Sequence, residues 1–479
     1  MSVRSFFLSV VLGLSWNSLP AADRPNILFI LADDLAWSDL GCYGHPWHQA
    51  PNLDRLAMEG MRFTDAYAPA PICSASRASI LTGKTTARLQ FEFVTKEKPG
   101  RQVIEGEIAM QTPPFTLNLS LAEETMAEVL KESGYDTGFV GKWHLNQHHK
   151  RYLGWSPTHG PAKHGFETTI DTFGAHPYGW KGGEVTPVEE KDVFPRDELT
   201  ERAVEFLQKD HDAPFFLMAS LYYVHTPIKT QCPWLIDKYE HLVPAESPNR
   251  KNRVRYGAFI EMMDHYVGQL LEALDESGLN EETMVVFTSD NGGHPEYTAN
   301  SPLRGSKWNL YEGGIRVPFL VRWPGRVKPE SISNELVIGY DLKSTFAEVA
   351  GVEFEEMSDG ISVVPAFEGR SLPDDRALIW HFPYYHPERG YKSAINDIGM
   401  DDFAVSKTRP QSAIRKGAFK LLSFPETESV ELYDLKSDMG EQWDIHKNSA
   451  AAVELAGLLR ESLGEMQARM PVAKNKKLR

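Results

Sequence analysis

Asn26-Ile27-Leu28-Phe29-Ile30-Leu31-Ala32-Asp33-Asp34 is a short apolar run that ends abruptly in two carboxylates. An unbroken apolar run, without polar alternation, reads as a parallel strand covered on both faces, with a loop at its C-terminal end. The pattern recurs along the chain. Thr137 to Val140 runs into Gly141-Lys142-Trp143-His144, Pro214 to Leu221 ends near His225, and Thr283 to Thr288 precedes Asp290-Asn291-Gly292-Gly293. Helical patterns lie between these strands. Ser120 to Gly134 opens with a Ser120/Glu123 capping box and stops at Gly134. Asp197 to Asp210 carries Leu199, Ala203, Phe206 and Leu207 on one face, and Asn252 to Leu279 keeps the helical period from Tyr256 to Leu274. The alternation predicts an α/β doubly wound sheet. Ligands bind beyond the C-terminal strand ends of such sheets. Polar clusters fall there four times, at Asp33-Asp34, Lys142/His144, His225 and Asp290-Asn291, which points to a single site.

The whole chain has 479 residues, 42% hydrophobic and 24% charged, with 50 Lys+Arg against 66 Asp+Glu and a net charge of −16. Those proportions exclude a disordered chain or a fibrous rod. The acidic balance argues against a nucleic-acid partner, so an anionic substrate must be met by local cations. Residues 1–22 read as a signal peptide, with Arg4, an apolar stretch from Phe6 to Trp16, and small residues at Ala21 and Ala22. That stretch is short for a bilayer span. The expectation is an exported protein, periplasmic or extracellular, with no stable membrane insertion. Three cysteines, Cys42, Cys73 and Cys232, exclude a disulfide scaffold. Past about residue 370 the character changes. Lys416 to Ser423 and Val430 to Asp434 look like an antiparallel pair, and Ala450 to Gln467 is an amphipathic helix. The expected division is a signal peptide (1–22), a catalytic domain (23–370) and a smaller α+β C-terminal domain (371–479).

Three groups of residues carry chemistry in their own right. Pro69 and Pro71 hold the chain extended before Cys73, and Ser76 to Leu81 can begin a helix with Cys73 at its N-terminal end. Backbone N–H groups there favour negative charge, so an exposed thiol at that place would have a low pKa. Asp33-Asp34 and Asp290-Asn291 offer hard oxygen ligands, suited to Ca²⁺ or Mg²⁺ and not to zinc. Lys142 and His144, two apart in extended structure, would share a face and suit an anionic group and proton transfer.

The stretch Cys73-Ser74-Ala75-Ser76-Arg77-Ala78-Ser79-Ile80-Leu81-Thr82-Gly83 resembles the C-x-A-S-R signature of the type I sulfatases. Gly141-Lys142-Trp143-His144-Leu145 is similar to that family's second signature, and Glu431-Leu432-Tyr433-Asp434-Leu435 to its late strand. The resemblance implies a large doubly wound mixed sheet flanked by helices, alkaline-phosphatase-like, beside the smaller C-terminal domain. It implies oxidation of Cys73 to Cα-formylglycine (3-oxoalanine) by a formylglycine-generating or other sulfatase-maturing enzyme. It also implies that Asp33, Asp34, Asp290, Asn291 and the modified Cys73 hold one Ca²⁺. By the same resemblance Arg77 and Lys142 orient the formylglycine, and His144 is the base of the elimination step. His225 is the acid for the leaving alcohol, and Lys307 binds the sulfate.

The aldehyde has a chemical logic. A hydrated aldehyde has two hydroxyls, one to attack sulfur and one whose deprotonation expels sulfate by C–O cleavage. The expected substrate is a sulfated carbohydrate. Related alternatives are a formylglycine-dependent phosphonate or phosphate ester hydrolase and a catalytically inactive carbohydrate-binding relative. The pocket rim is expected from Thr85 to Thr116, Gln147 to Lys191 and His381 to Gln411, with His176, Tyr178, Trp180 and Arg304 as candidates.

Overall fold

The computed structural model describes residues 24–180, 186–354, 357–389 and 407–474. The expected signal peptide, residues 475–479, and parts of the second and third rim segments lie outside the described residues.

The strand Asn26–Ala32 sits inside an eight-stranded mixed sheet. The spatial order is Ser331–Ser333, Met61–Phe63, Phe319–Arg322, Thr283–Ser289, Asn26–Ala32, Phe215–Ser220, Asp136–Gly141 and Thr168–Ile170. Phe319–Arg322 runs antiparallel to both neighbours, and every other pairing is parallel. The unbroken apolar run has a direct cause. Ile27, Phe29 and Leu31 enter the core on one face, while Leu28, Ile30 and Ala32 enter the core on the other. Helices Pro51–Glu59, Glu198–Gln208, Pro233–Leu242 and Arg250–Glu276 pack on the second face, and Cys73–Thr82, Met126–Glu132 and Asp341–Val349 on the first.

Helix starts are set by local caps in some places and by tertiary contacts in others. Asp197 caps Glu198–Gln208 by accepting the Thr200 N–H. The helix expected from Ser120 begins later. Thr125 and Glu128 form the reciprocal capping box of Met126–Glu132, whereas Ser120 to Glu123 is a turn and Glu123 pairs with Lys84 at 2.5 Å. Residues 120–128 hold two Ser/Thr-x-x-Glu patterns, and only the later one precedes the residues that reach the core. Asp264, within the long helix, accepts the N–H groups of Asn52 and Leu53 and so caps Pro51–Glu59, whose own N-cap Ala50 offers no side-chain bond.

The smaller unit is a four-stranded antiparallel sheet, ordered Ala377–Phe382, Gln411–Lys416, Phe419–Phe424 and Ser429–Asp434, with helix Ala450–Glu465 packed on it. The expected strand Lys416 to Ser423 is divided. Gly417 (φ 57°) turns the chain between Gln411–Lys416 and Phe419–Phe424.

A buried neutral histidine is expected to make this fold acid-sensitive. His164 is fully buried against Trp143 with neither ring nitrogen hydrogen-bonded, and burial pushes its pKa down to about 4. A histidine held below its ordinary value stabilises the fold above that value, and the stability is lost as pH falls from about 6.5 towards 4. His164→Leu is therefore expected to narrow the difference in unfolding free energy between about pH 7.5 and about pH 5 by about 2 kcal/mol, measured by urea denaturation.

Candidate active site

Four loops leave the C-terminal ends of adjacent central strands and are laced together by backbone bonds. Asp290 N–H donates to the Ala32 carbonyl (3.1 Å), Leu221 N–H to Leu31 (2.9 Å) and Lys142 N–H to Ser220 (2.8 Å). Asp33 exchanges backbone bonds with Tyr223 and Val224 at 2.7 and 2.6 Å. Gly141 makes the close approach possible: its φ is 97°, and a Cβ there would lie 2.0 Å from the Ser220 carbonyl oxygen. Asp34 takes the left-handed conformation, φ 62°, which a short carboxylate side chain tolerates.

Cys73 opens the helix Cys73–Thr82 on the sheet face beside these loops. Its Sγ lies 3.4 Å from Asp33 Oδ1 and 3.7 Å from Asp34 Oδ1. One turn on, Arg77 is fully buried. Its Nε donates to Asp290 Oδ2 (2.7 Å), its Nη1 donates to the Lys142 carbonyl (2.8 Å) and to Ser220 Oγ, and its Nη2 reaches Asp33 at 3.6 Å. Lys142 Nζ donates to Asp33 Oδ2, and Lys307 Nζ to Asp34 Oδ2 at 2.7 Å. His225 Nε2 stands 3.6 Å from the same Asp34 oxygen. Asn291 Nδ2 donates to Asp34 Oδ1 (2.7 Å), and Asp290 Oδ1 accepts the Asp34 N–H (3.2 Å). The structure thus brings Asp33, Asp34, Cys73, Arg77, Lys142, His225, Asp290, Asn291 and Lys307 into one contact network.

His144 lies at its edge. It is buried, its Nδ1 has no hydrogen-bond partner, and its ring is 5.9 Å from His148 and 6.5 Å from Tyr152. The backbone at His144 is left-handed (φ 57°), so Lys142 and His144 do not share a face through strand alternation as the sequence suggested.

The electrostatics explain how an acidic protein can receive an anion. Asp33, Asp34 and Asp290 are met by Arg77, Lys142 and Lys307, which leaves the protein groups formally balanced before any cation enters. Burial opposes charge on Asp34, but Lys307, His225 and Lys142 outweigh it and hold the carboxyl well below its usual range. Burial would lower Lys307, yet Asp34 raises it well above an ordinary lysine. Burial and then Lys307 push His225 down, and burial and then Lys142 push His144 down, so both rings favour the neutral form. The thiol departs from expectation. Cys73 is buried, not exposed, and burial together with Asp33 raises its pKa well above the usual thiol value, so a low-pKa thiolate is not what this site stabilises.

Among the described residues, Asp33, Asp34, Cys73 and His225 offer ligand atoms within 4.8 Å of one another. Asn291 supplies a further sign: its Oδ1 is buried and accepts no hydrogen bond. A buried carbonyl oxygen left without a donor is costly unless something electropositive faces it. Hard oxygens and an orphaned amide oxygen fit a Ca²⁺-type ion. A second group, Asp39, His45 and His48, is equally close. There the Asp39 carboxylate is already taken by the Ala36 N–H and the hydroxyls of Tyr256 and Thr298.

Sequence reasoning missed Ser220 as a site residue, although it is the one polar residue in the otherwise apolar strand Phe215–Ser220. It bridges Arg77 and the Lys142 carbonyl. Of the rim candidates, His176 and Tyr178 contact His225. Arg304 lies over the Tyr311 ring and donates to the Tyr433 hydroxyl and the Glu441 carbonyl, which ties it to the C-terminal sheet. Trp180 is partly buried, with no hydrogen-bond partner for its indole nitrogen.

Comparison with known proteins gives two family matches: Sulfatase over residues 25–352, and N-sulphoglucosamine sulphohydrolase, C-terminal, over residues 306–469. The chain is 32% identical to arylsulfatase A of Homo sapiens over 94% of this chain and 88% of the relative. It is 32% identical to N-acetylgalactosamine-6-sulfatase of Canis lupus familiaris over 74% of this chain and 68% of the relative. Its fold is similar to the solved structure of Ps i-CgsB in complex with k-i-k-neocarrahexaose, with TM-score 0.71, 27% identity, and 92% and 93% of the two chains covered.

Proposed function

The chain belongs to the sulfatase family and is a sulfuric ester hydrolase, and we propose that it removes sulfate from a sulfated carbohydrate, using formylglycine at position 73 and one Ca²⁺. The observation that carries this reading is the placement of Cys73 Sγ at 3.4 and 3.7 Å from two carboxylates, beside an amide oxygen that lacks a donor.

Asp33, Asp34, Asp290 and Asn291 would hold the ion through oxygen. When bound, Ca²⁺ screens the ester's oxygens and favours an ionised nucleophile. Formylglycine, as its hydrate, supplies one hydroxyl for attack and a second for release of sulfate. The remaining work falls to side chains whose positions are described above. Arg77, fixed by Asp290 and Lys142, orients residue 73. Lys142 and Lys307 present positive charge where the sulfuryl group gains negative charge. His144, with its bare Nδ1, takes the proton of the second hydroxyl. His225 Nε2 gives a proton to the leaving alcohol.

Carbohydrate is favoured as the substrate class because one relative is named an N-acetylgalactosamine-6-sulfatase and a structural neighbour is in complex with a neocarrahexaose. Export rests on the character of residues 1–22, and no helix among the described residues is long and apolar enough to cross a membrane. We place the catalytic unit in residues 23–370 and the C-terminal unit in 371–479, with a sulfatase-maturing enzyme as the required partner.

The test is release of inorganic sulfate from a panel of sulfated mono- and oligosaccharides by protein matured in its native host. Turnover of at least one is the expected result. Turnover of phosphonate or phosphate esters in preference to all of them would overturn the reading in favour of that chemistry. Chelation gives a second expected outcome. EGTA is expected to abolish activity and Ca²⁺ to restore it. Ca²⁺ at about 100 times its Kd should stabilise the fold by about 3 kcal/mol, read as a shift in Tm.

A further inference from the structure

His225 is held from two sides by one short turn, Pro177–Gly179. His176 precedes that turn and is fully buried. Its Nδ1 accepts the Tyr178 N–H at 3.2 Å, so in the neutral ring the proton sits on Nε2, which donates to the His225 carbonyl at 3.1 Å. This bond fixes the backbone of His225. Tyr178 acts on the ring. Its Oη lies 2.6 Å from His225 Nδ1, and its hydroxyl donates to the Thr226 carbonyl. The Thr226 carbonyl oxygen is itself 2.6 Å from His225 Nδ1. A carbonyl can only accept, so Nδ1 carries a proton, held between the carbonyl and the phenol oxygen. The other ring nitrogen, Nε2, is thereby turned towards Asp34 Oδ2, 3.6 Å away, in the heart of the site.

We propose that Tyr178 is a positioning residue for His225: the Tyr178 hydroxyl, with the Thr226 carbonyl, anchors Nδ1–H so that Nε2 faces the ester oxygen of the substrate. This rests on the reading of His225 as the proton donor. In that step the S–O bond to the leaving group breaks and its electron pair goes to the leaving oxygen. The resting ring is neutral and protonated at Nδ1, so Nε2 first takes up a proton from water. The leaving oxygen then takes that proton, the Nε2–H electron pair stays on the ring, and the ring returns to its neutral form with Nδ1–H retained throughout. Without the phenol oxygen one acceptor remains for Nδ1–H. The ring then explores rotations that take Nε2 away from the leaving oxygen, and small misplacements of a proton donor are expensive.

The role predicts dependence on the leaving group, which a packing role does not. A sugar alkoxide must be protonated as it departs, whereas a nitrophenolate leaves unaided. Tyr178→Phe keeps the ring and removes only the hydroxyl. It should lower kcat on a sulfated sugar by about 10-fold or more while KM stays within about 3-fold, and change nitrophenyl sulfate turnover by less than about 3-fold. In a His225→Ala background the same substitution should cause no further loss on the sugar sulfate. Equal losses on both substrates, or an additional loss in that background, would overturn the proposal. A measurement independent of turnover is the His225 Nδ1–H signal in protein labelled with ¹⁵N-histidine. It is expected to be present and slow to exchange in the wild type, and shifted or lost in Tyr178→Phe. An active wild type whose signal does not move in Tyr178→Phe overturns the positioning role and leaves the function standing. A signal that moves as expected in a wild type inactive on every sulfate ester overturns the function and leaves the anchoring contact standing.

Discussion

Cys73→Ala is expected to lower kcat for sulfate-ester hydrolysis by on the order of 10⁴-fold or more, with the folded state retained. Every charged group of the site converges on this position. Asp33 and Asp34 reach Sγ directly, and Arg77 sits one helical turn away with both arms committed to neighbouring site residues. Removing the side chain therefore leaves the surrounding charges in place but takes away the group that the proposed mechanism converts into the nucleophile. Residual rate would come from binding and positive charge alone. The fold should tolerate the change, because the deleted sulfur faces two carboxylates, not the apolar core. Initial rates on an aryl sulfate and on a sulfated sugar, with a melting curve for the variant, check both halves. A loss of less than about 10-fold would mean that another group attacks sulfur.

Lys420→Met is expected to destabilise the protein by about 3–5 kcal/mol. Lys420 lies on strand Phe419–Phe424 of the C-terminal sheet and has no exposure. Its Nζ reaches Glu312 Oε1 at 2.8 Å and Glu441 Oε1 at 2.9 Å, both carboxylates also fully buried. Glu312 keeps Arg316 and the Tyr67 hydroxyl when the lysine is lost. Glu441 loses its only cation within ion-pair distance among the described residues, and a buried carboxylate without one is the costly case. Adding Glu441→Gln to Lys420→Met should recover a large part of the loss, and urea denaturation of the single and double variants measures it. The effect should reach the chemistry. Glu312 begins the short helix Glu312–Ile315, directly after the loop that carries Lys307, and the Glu441 carboxylate accepts the Glu312 N–H at 2.7 Å. The C-terminal sheet thus grips the segment that delivers Lys307 to Asp34, and a lower kcat/KM is expected below the melting transition as well.

What could be read from the sequence follows from which interactions are local. The central strands were legible because both faces of each are covered, so a strand such as Asn26–Ala32 carries no polar residue inside it. Asp33, Asp34, Lys142, His225, Asp290 and Asn291 could be grouped from the sequence because they sit just past those strands, where a doubly wound sheet gathers its loops, whereas Cys73, Arg77 and Lys307 come from other segments. Features made by distant partners were not legible. Tyr178 and His225 are 47 residues apart with no spacing signal between them. Glu312, Lys420 and Glu441 look like ordinary surface charges until the C-terminal sheet closes over them. The start of the helix Met126–Glu132 was misplaced because two capping patterns compete within a few residues. The thiol of Cys73 was expected to be acidic if exposed at its helix N-terminus, four residues from Arg77. Burial and Asp33, both supplied by tertiary structure, reverse that.

The central claim is that position 73 carries the nucleophile as formylglycine. The direct measurement is mass spectrometry of the tryptic peptide spanning Phe63 to Arg77, from protein made in its native host. The account predicts a peptide in which the Cys73 side chain has lost sulfur and gained an aldehyde oxygen, and which reacts with a carbonyl reagent. An intact thiol at Cys73 in protein that nonetheless cleaves sulfate esters would contradict it.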